Sequence, residues 1–157
     1  MEKYMRIKVK RKAKASWHSE WVNEVKNAAR FAAANFNLSH HEFKVDFILK
    51  NDPSVDYAGV TLTLSPLKRF VIILNAAYVK SSDHILRLVF HEMTHIKQEF
   101  HDGLVMDDTD EAHYKGMVYS FDEQCTFRDA YYHLPWEIEA RESEKILLKN
   151  YKRCLTV

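Results

Sequence analysis

The chain has 157 residues, 46% of them hydrophobic, with only three glycines and three prolines, which suits one domain with a sizeable core and few flexible linkers. Its 23 basic and 22 acidic residues nearly cancel, so the molecule as a whole lacks the charge of a polyanion binder. No apolar run approaches a membrane span and no apolar signal core follows Met1, so the expectation is a single cytoplasmic domain over residues 1–157, assumed monomeric, with no membrane partner.

Residues 3–14 carry Lys3, Arg6, Lys8, Lys10, Arg11, Lys12 and Lys14, with Ile7 and Val9 alternating with the charges. That pattern fits a basic N-terminal arm or edge strand over residues 1–15, and a nucleic-acid or other anionic partner is its alternative reading. Ser16 is placed to cap a helix in which Trp17, Trp21, Val25, Ala28, Ala29, Ala32 and Phe36 recur at helical spacing, with both tryptophans as core. Residues 37–41 break that helix. Adjacent His40 and His41 would point to opposite sides of an extended chain, which makes a poor metal pair. Phe43, Val45, Phe47 and Leu49 then alternate with Lys44, Asp46 and Ile48 as on a half-buried strand, and Asn51-Asp52-Pro53-Ser54 marks a turn. Val60, Leu62 and Leu64, alternating with Thr61 and Thr63, suit an edge strand. The unbroken apolar run at residues 70–74 suits a central strand covered on both faces.

Ser81-Ser82-Asp83 starts a helix that runs to about Phe100 and stops near Asp102-Gly103. It contains His91-Glu92-Met93-Thr94-His95. Side chains four apart stack on one helix face, so both histidines reach a single metal ion while Glu92 projects beside them. Leu86, Val89, Met93, Ile96 and Phe100 form an apolar stripe, and the histidines lie nearly opposite it with His84 and Gln98 beside them. A solvated face is the bland reading of such residues, but two histidines bracketing a glutamate carry more information than a lone one. Their chemistry is that of a zinc hydrolase. His91 and His95 hold Zn²⁺, a third protein ligand completes the shell, a water in the open position is acidified, and Glu92 takes its proton as general base.

Residues 103–135 show few periodic cues, and a segment this long is expected to be functional or to contain short elements. Asp107, Asp108, Asp110 and Glu111 lack the glycine-centred loop of a calcium site, so a solvated acidic loop is preferred. Residues 115–119 read as a short strand. Tyr114, Tyr131, Tyr132, His113 and His133 are candidate donors to an oxyanion, and spacing selects none of them. Pro135 opens the last helix, whose stripe of Trp136, Ala140, Ser143, Leu147 and Tyr151 is flanked by Glu137 and Glu139. Cys125 and Cys154 are too few for a disulfide framework and are expected as free thiols.

The motif helix followed by a glutamate helix resembles the gluzincins, zinc metallopeptidases in which H-E-x-x-H is completed by a Glu on a later helix. In several branches that Glu stands in an E-x-x-A pattern, which Glu137-Ile138-Glu139-Ala140 matches with Glu137 as the ligand. The chain is similar to small members from bacteria and their phages, in which Pro-Trp-Glu-x-Glu-Ala follows the motif helix. The resemblance implies an α+β, zincin-like domain: an N-terminal packing helix, a small mixed sheet, the motif helix and a C-terminal helix with the third ligand. It implies one catalytic zinc on His91, His95 and Glu137, with Glu92 as base. The implied reaction is hydrolysis of a peptide or protein substrate laid along a sheet edge such as residues 60–64.

Arg141 stands where relatives with E-x-x-A-D carry an Asp that orients a histidine ligand, so that support is unassigned and Glu139 stays open as an alternative ligand. The metzincin pattern needs glycine at Gln98, so His101 reads as a helix-end residue. Two other classes remain open: a zinc-binding interaction module without peptidase activity, and a nucleic-acid-associated protease similar to the SprT-like relatives, tethered by the basic arm.

Overall fold

The structure, a computed structural model, describes residues 5–11, 19–64, 68–106, 111–120 and 131–156. Its elements are strand β1 (Arg6–Arg11), helix α1 (Ser19–Asn35), strands β2 (Lys44–Lys50), β3 (Gly59–Leu64) and β4 (Arg69–Asn75) and helix α2 (Ser82–His101). Strands β5 (Val105–Met106), β6 (Glu111–Tyr114) and β7 (Met117–Ser120) follow, and helix α3 (Pro135–Leu155) ends an α+β domain. The larger sheet has the order β1-β2-β4-β3, with β1, β2 and β4 parallel and β3 antiparallel at one edge. A parallel step needs a crossover, and α1 supplies it between β1 and β2.

Period-two alternation decides which side of the sheet is covered. Val45, Phe47 and Leu49 of β2 and Phe70, Ile72 and Leu74 of β4 join one core with Val25, Ala28 and Ala32 of α1 and Val89, Phe90, Met93 and Ile96 of α2. Each such large side chain, fully buried, stabilises the fold by about 1.5–3 kcal/mol relative to exposure. As expected, β4 is central and β3 is an edge. Among the described residues the expected cover on both faces of β4 is not found. Val71 and Ile73 are only partly buried and stay outside this core, because they point to the face away from the helices.

Helix α2 starts at Ser81, whose hydroxyl accepts from His84 N–H at 3.2 Å, and ends where Gly103, at φ +68°, turns the chain so that Leu104 N–H reaches Gln98 O. Helix α3 packs along α2 more extensively than α1 does. The polar face of α2 opposite its apolar stripe is covered rather than solvated: Glu92, Thr94, His95 and Gln98 are buried.

The segment after α2 contains one expected strand and two that periodicity did not reveal. β5, β6 and β7 make a small antiparallel sheet, and Ala112 and Tyr114 of β6 close a second core over Leu104 and Trp136. Lys115 and Gly116, at φ +49° and +77°, form the two-residue turn between β6 and β7, so the strand expected from residue 115 starts at Met117. Ser16, Trp17, Asp107, Asp108, Asp110 and Cys125 lie outside the described residues; Cys154 is exposed. Among the described residues no helix is long and apolar enough to cross a membrane.

Candidate metal centre

The face of α2 opposite its apolar stripe meets the first turn of α3. There His91 Nε2 lies 3.1 Å from Glu137 Oε2 and His95 Nε2 lies 3.1 Å from Glu137 Oε1, and the three potential ligand atoms all fall within 4.8 Å of one another. The four-residue spacing sets the two imidazoles edge to face, with centroids 4.9 Å apart. Glu137 is 3% exposed. Its Oε1 sits off the line of a hydrogen bond to His95 and has no hydrogen-bond partner among the described residues. A buried carboxylate oxygen left in this way is destabilising by about 1–3 kcal/mol or more, which a cation held between it and the two Nε2 atoms would relieve. Two imidazoles and one carboxylate are a donor set suited to zinc, so these residues fit the metal that the motif implies.

Charge coupling in the cluster is strong. Burial works against a charged His91, but hydrogen bonds with Glu137 and Glu144 outweigh it and push the group up to about 10. His95 is raised as well, against its burial, by the facing Glu137 carboxylate and the charge of Glu92. Burial would raise Glu137, yet His91 and His95 hold it far below the usual carboxylate range.

An outer layer fixes both rings. His91 Nδ1 donates to Glu144 Oε2 at 3.0 Å, and Arg87 donates to Glu144 Oε1 at 2.7 Å. His95 Nδ1 lies 2.8 Å from Gln98 Oε1, while Gln98 Nε2 donates to Trp136 O and Glu139 Oε2. With the Gln98 amide spent on two acceptors, its oxygen must accept, so His95 carries its proton on Nδ1 and presents Nε2 to the cluster. Glu144 thus takes the part that the resemblance gave to residue 141. Arg141 instead stacks 3.7 Å over the Tyr132 ring and donates to the Tyr132 carbonyl. Sequence reasoning missed Glu144, whose one signal is its seven-residue spacing from Glu137, two turns along the same helix face.

Glu139 is turned away from the cluster. Lys97 Nζ lies 2.7 Å from it, the Tyr114 hydroxyl and Gln98 also donate to it, and these partners overcome its burial and hold it at about 2. His84 stays at the start of α2, accepting from Lys80 N–H, and His101 reaches the Phe36 carbonyl at 3.0 Å, as suits a helix-end residue. His41 packs on Phe100.

Glu92 is 5% exposed and is gripped by the edge strand. Thr61 Oγ1 donates to Glu92 Oε2 at 2.5 Å, and a Cβ at Gly59 would stand 3.0 Å from Glu92 Oε1. A cavity of about 150 Å³ opens here between β3, α2 and the segment before α3; Thr61, His91, Glu92, His95, Met106 and Tyr131 contribute to its lining. Of the five candidate oxyanion donors only Tyr131 lines this cavity. Its hydroxyl bonds to Glu137, and burial and that charge push its pKa upward. Tyr114 is committed to Glu139, and Tyr132 and His133 stack on each other.

No family model, curated protein or solved structure matches this chain.

Proposed function

We propose that the chain is a zinc-dependent metalloendopeptidase of the gluzincin kind, zincin-like in fold and cytoplasmic, with His91, His95 and Glu137 as zinc ligands and Glu92 as general base. One observation carries this reading. Three ligating atoms converge within 4.8 Å beside a buried carboxylate, Glu92, that zinc binding alone does not need. Zinc, when bound, supplies a Lewis acid for water and the scissile carbonyl. Glu92, oriented by Thr61, accepts the proton of the attacking water and passes it to the leaving amine. Tyr131 lines the same cavity, and its hydroxyl, bonded to Glu137, becomes a donor to the developing oxyanion once it leaves that carboxylate. Strand β3 pairs only with β4 among the described residues and borders the cavity, so an extended peptide can add antiparallel to its free edge.

Elemental analysis of wild type, Glu137→Ala, Glu139→Ala and Glu92→Gln, with cleavage of an unstructured peptide library read by mass spectrometry, tests the reading. Wild type and Glu139→Ala are expected to hold about one zinc and Glu137→Ala almost none. Glu92→Gln should keep the metal and lose cleavage. No zinc in wild type after zinc is supplied overturns the proposal, and zinc without any cleavage selects the interaction-module reading instead.

A further inference from the structure

The sheet face turned away from α1 and α2 carries a cluster of a different kind. Arg6, Lys8 and Lys10 of β1, Lys44 and Asp46 of β2 and Arg69 of β4 line a shallow cavity of about 350 Å³. Asp46 is the single carboxylate there, 5% exposed and held by Arg69 Nε at 2.9 Å. Arg6, Lys8, Lys10 and Lys44 are exposed and form no ion pair among the described residues. Lysines on an edge strand are ordinary protection against unwanted strand pairing. Edge protection accounts for β1 but not for Lys44 and Arg69, which sit on strands inside the sheet and share a row with Arg6.

The near-neutral total conceals this segregation. Residues 3–14 hold seven of the 23 basic residues and no carboxylate, which leaves 16 basic against 22 acidic residues elsewhere. Same-face residues on a strand stand about 6.7 Å apart and neighbouring strands about 4.8 Å apart, so the four unpaired cations form an array roughly 13 Å long. Duplex DNA carries one charge per about 1.7 Å of axis, so such an array meets several phosphates at once. None of the lining residues is aromatic, which leaves no platform on which a base can stack.

We propose that this face binds the phosphate backbone of nucleic acid without sequence preference. β1 and β3 are opposite edges of the sheet, about 14 Å apart, so a strand bound here leaves the zinc cavity open. The proposal is independent of the peptidase reading.

Fluorescence anisotropy of the full chain with labelled 20-bp duplex DNA, single-stranded DNA and duplex RNA, from 50 to 200 mM salt, tests it. Four phosphate contacts give a log–log salt slope of about −3 to −4 on duplex DNA, or roughly 100-fold weaker binding across that range. Arg6→Gln/Lys8→Gln/Lys10→Gln should weaken binding at least about 10-fold at the low-salt end and remove most of the slope, and Lys44→Gln alone should lower the slope by about 1. Lys145→Gln/Lys149→Gln, exposed on α3, should change neither. Circular dichroism melts establish that each variant is folded. Absence of binding at low salt, a slope untouched by the β1 and Lys44 variants, or binding to phosphatidylserine vesicles but to no nucleic acid overturns the proposal.

Discussion

Glu144 shows how an outer carboxylate can move along a helix and keep its task. It holds His91 Nδ1 and is itself held by Arg87, so Glu144→Gln is expected to weaken zinc binding 10–100-fold, read by competition with a chromophoric chelator. Arg141→Ala should leave zinc affinity unchanged, and an equal loss in both variants would sink the assignment. Thr61 holds Glu92, the proposed base, and none of the proposed zinc ligands. Thr61→Val should therefore lower kcat with zinc content intact, and Thr61→Ser should recover most of it; parallel loss of zinc would mean that β3 supports the whole site. Protonation gives a further test. In the metal-free chain His91 sits near 10, so near pH 7 zinc binding at the proposed site must displace its proton, and the raised His95 adds to the release. Zinc affinity should rise from pH 6 to pH 9, and calorimetry in buffers of different ionisation enthalpy should detect the release; none detected means the rings are already neutral. His91, Glu92 and His95 were legible because one helix turn contains them. Glu137 and Glu139 stand two residues apart, and choosing between them needed either the resemblance or the face that α3 turns to α2. Glu144 and Gln98 acquire roles only once two distant helices meet, which no local spacing encodes.

Elements with a strong period were readable, and their context was not. β2, β4, α2 and α3 fall where alternation, Ser81 and Pro135 put them, and β7 lies within the short strand expected after residue 115, whereas β5 and β6 are two and four residues long, too short for alternation to register. The cover of β4 was misjudged. Among the described residues it has no second layer although its unbroken apolar run suggested one, whereas the polar face of α2 is buried because α3 lies there. The α2–α3 contact also gives a mutational test. Ala140 is fully buried between Glu137 and Glu144 along α3, and its small side chain lets the two helices approach closely enough for both carboxylates to reach α2. Ala140→Leu should destabilise the fold by about 1–3 kcal/mol in urea denaturation and should also deplete zinc, because the added bulk pushes α3 outward. Ile146→Ala, at a position 60% exposed, should do neither. An Ala140→Leu chain with wild-type stability and zinc content would show that the helix spacing is not set there.

At the scale of the whole molecule, the cluster makes stability depend on pH and, under the proposed function, on metal. The raised His91 contributes stability to the metal-free chain that is fully present below its ordinary value of 6.5 and is lost as pH rises through about 10. The depressed Glu137 contributes stability present above its ordinary value of 4.5 and lost as pH falls through its lowered value. The two contributions coincide between pH 4.5 and 6.5, so for this cluster the metal-free protein is best stabilised in that window and loses ground toward alkaline pH. Zinc bound at the proposed site would reverse the alkaline part. It binds neutral imidazoles, so its hold strengthens over the same range in which the histidinium–carboxylate contacts fade. Free zinc at 100 times its Kd adds about 2.7 kcal/mol, which for a domain of this size raises Tm by roughly 5–11 °C. Differential scanning calorimetry with zinc or EDTA, at fixed total zinc, should show a larger zinc-dependent rise at pH 8 than at pH 6. A rise that is equal at the two values would detach the imidazole protons from metal binding, and no rise at either would remove zinc from the folded state of this protein.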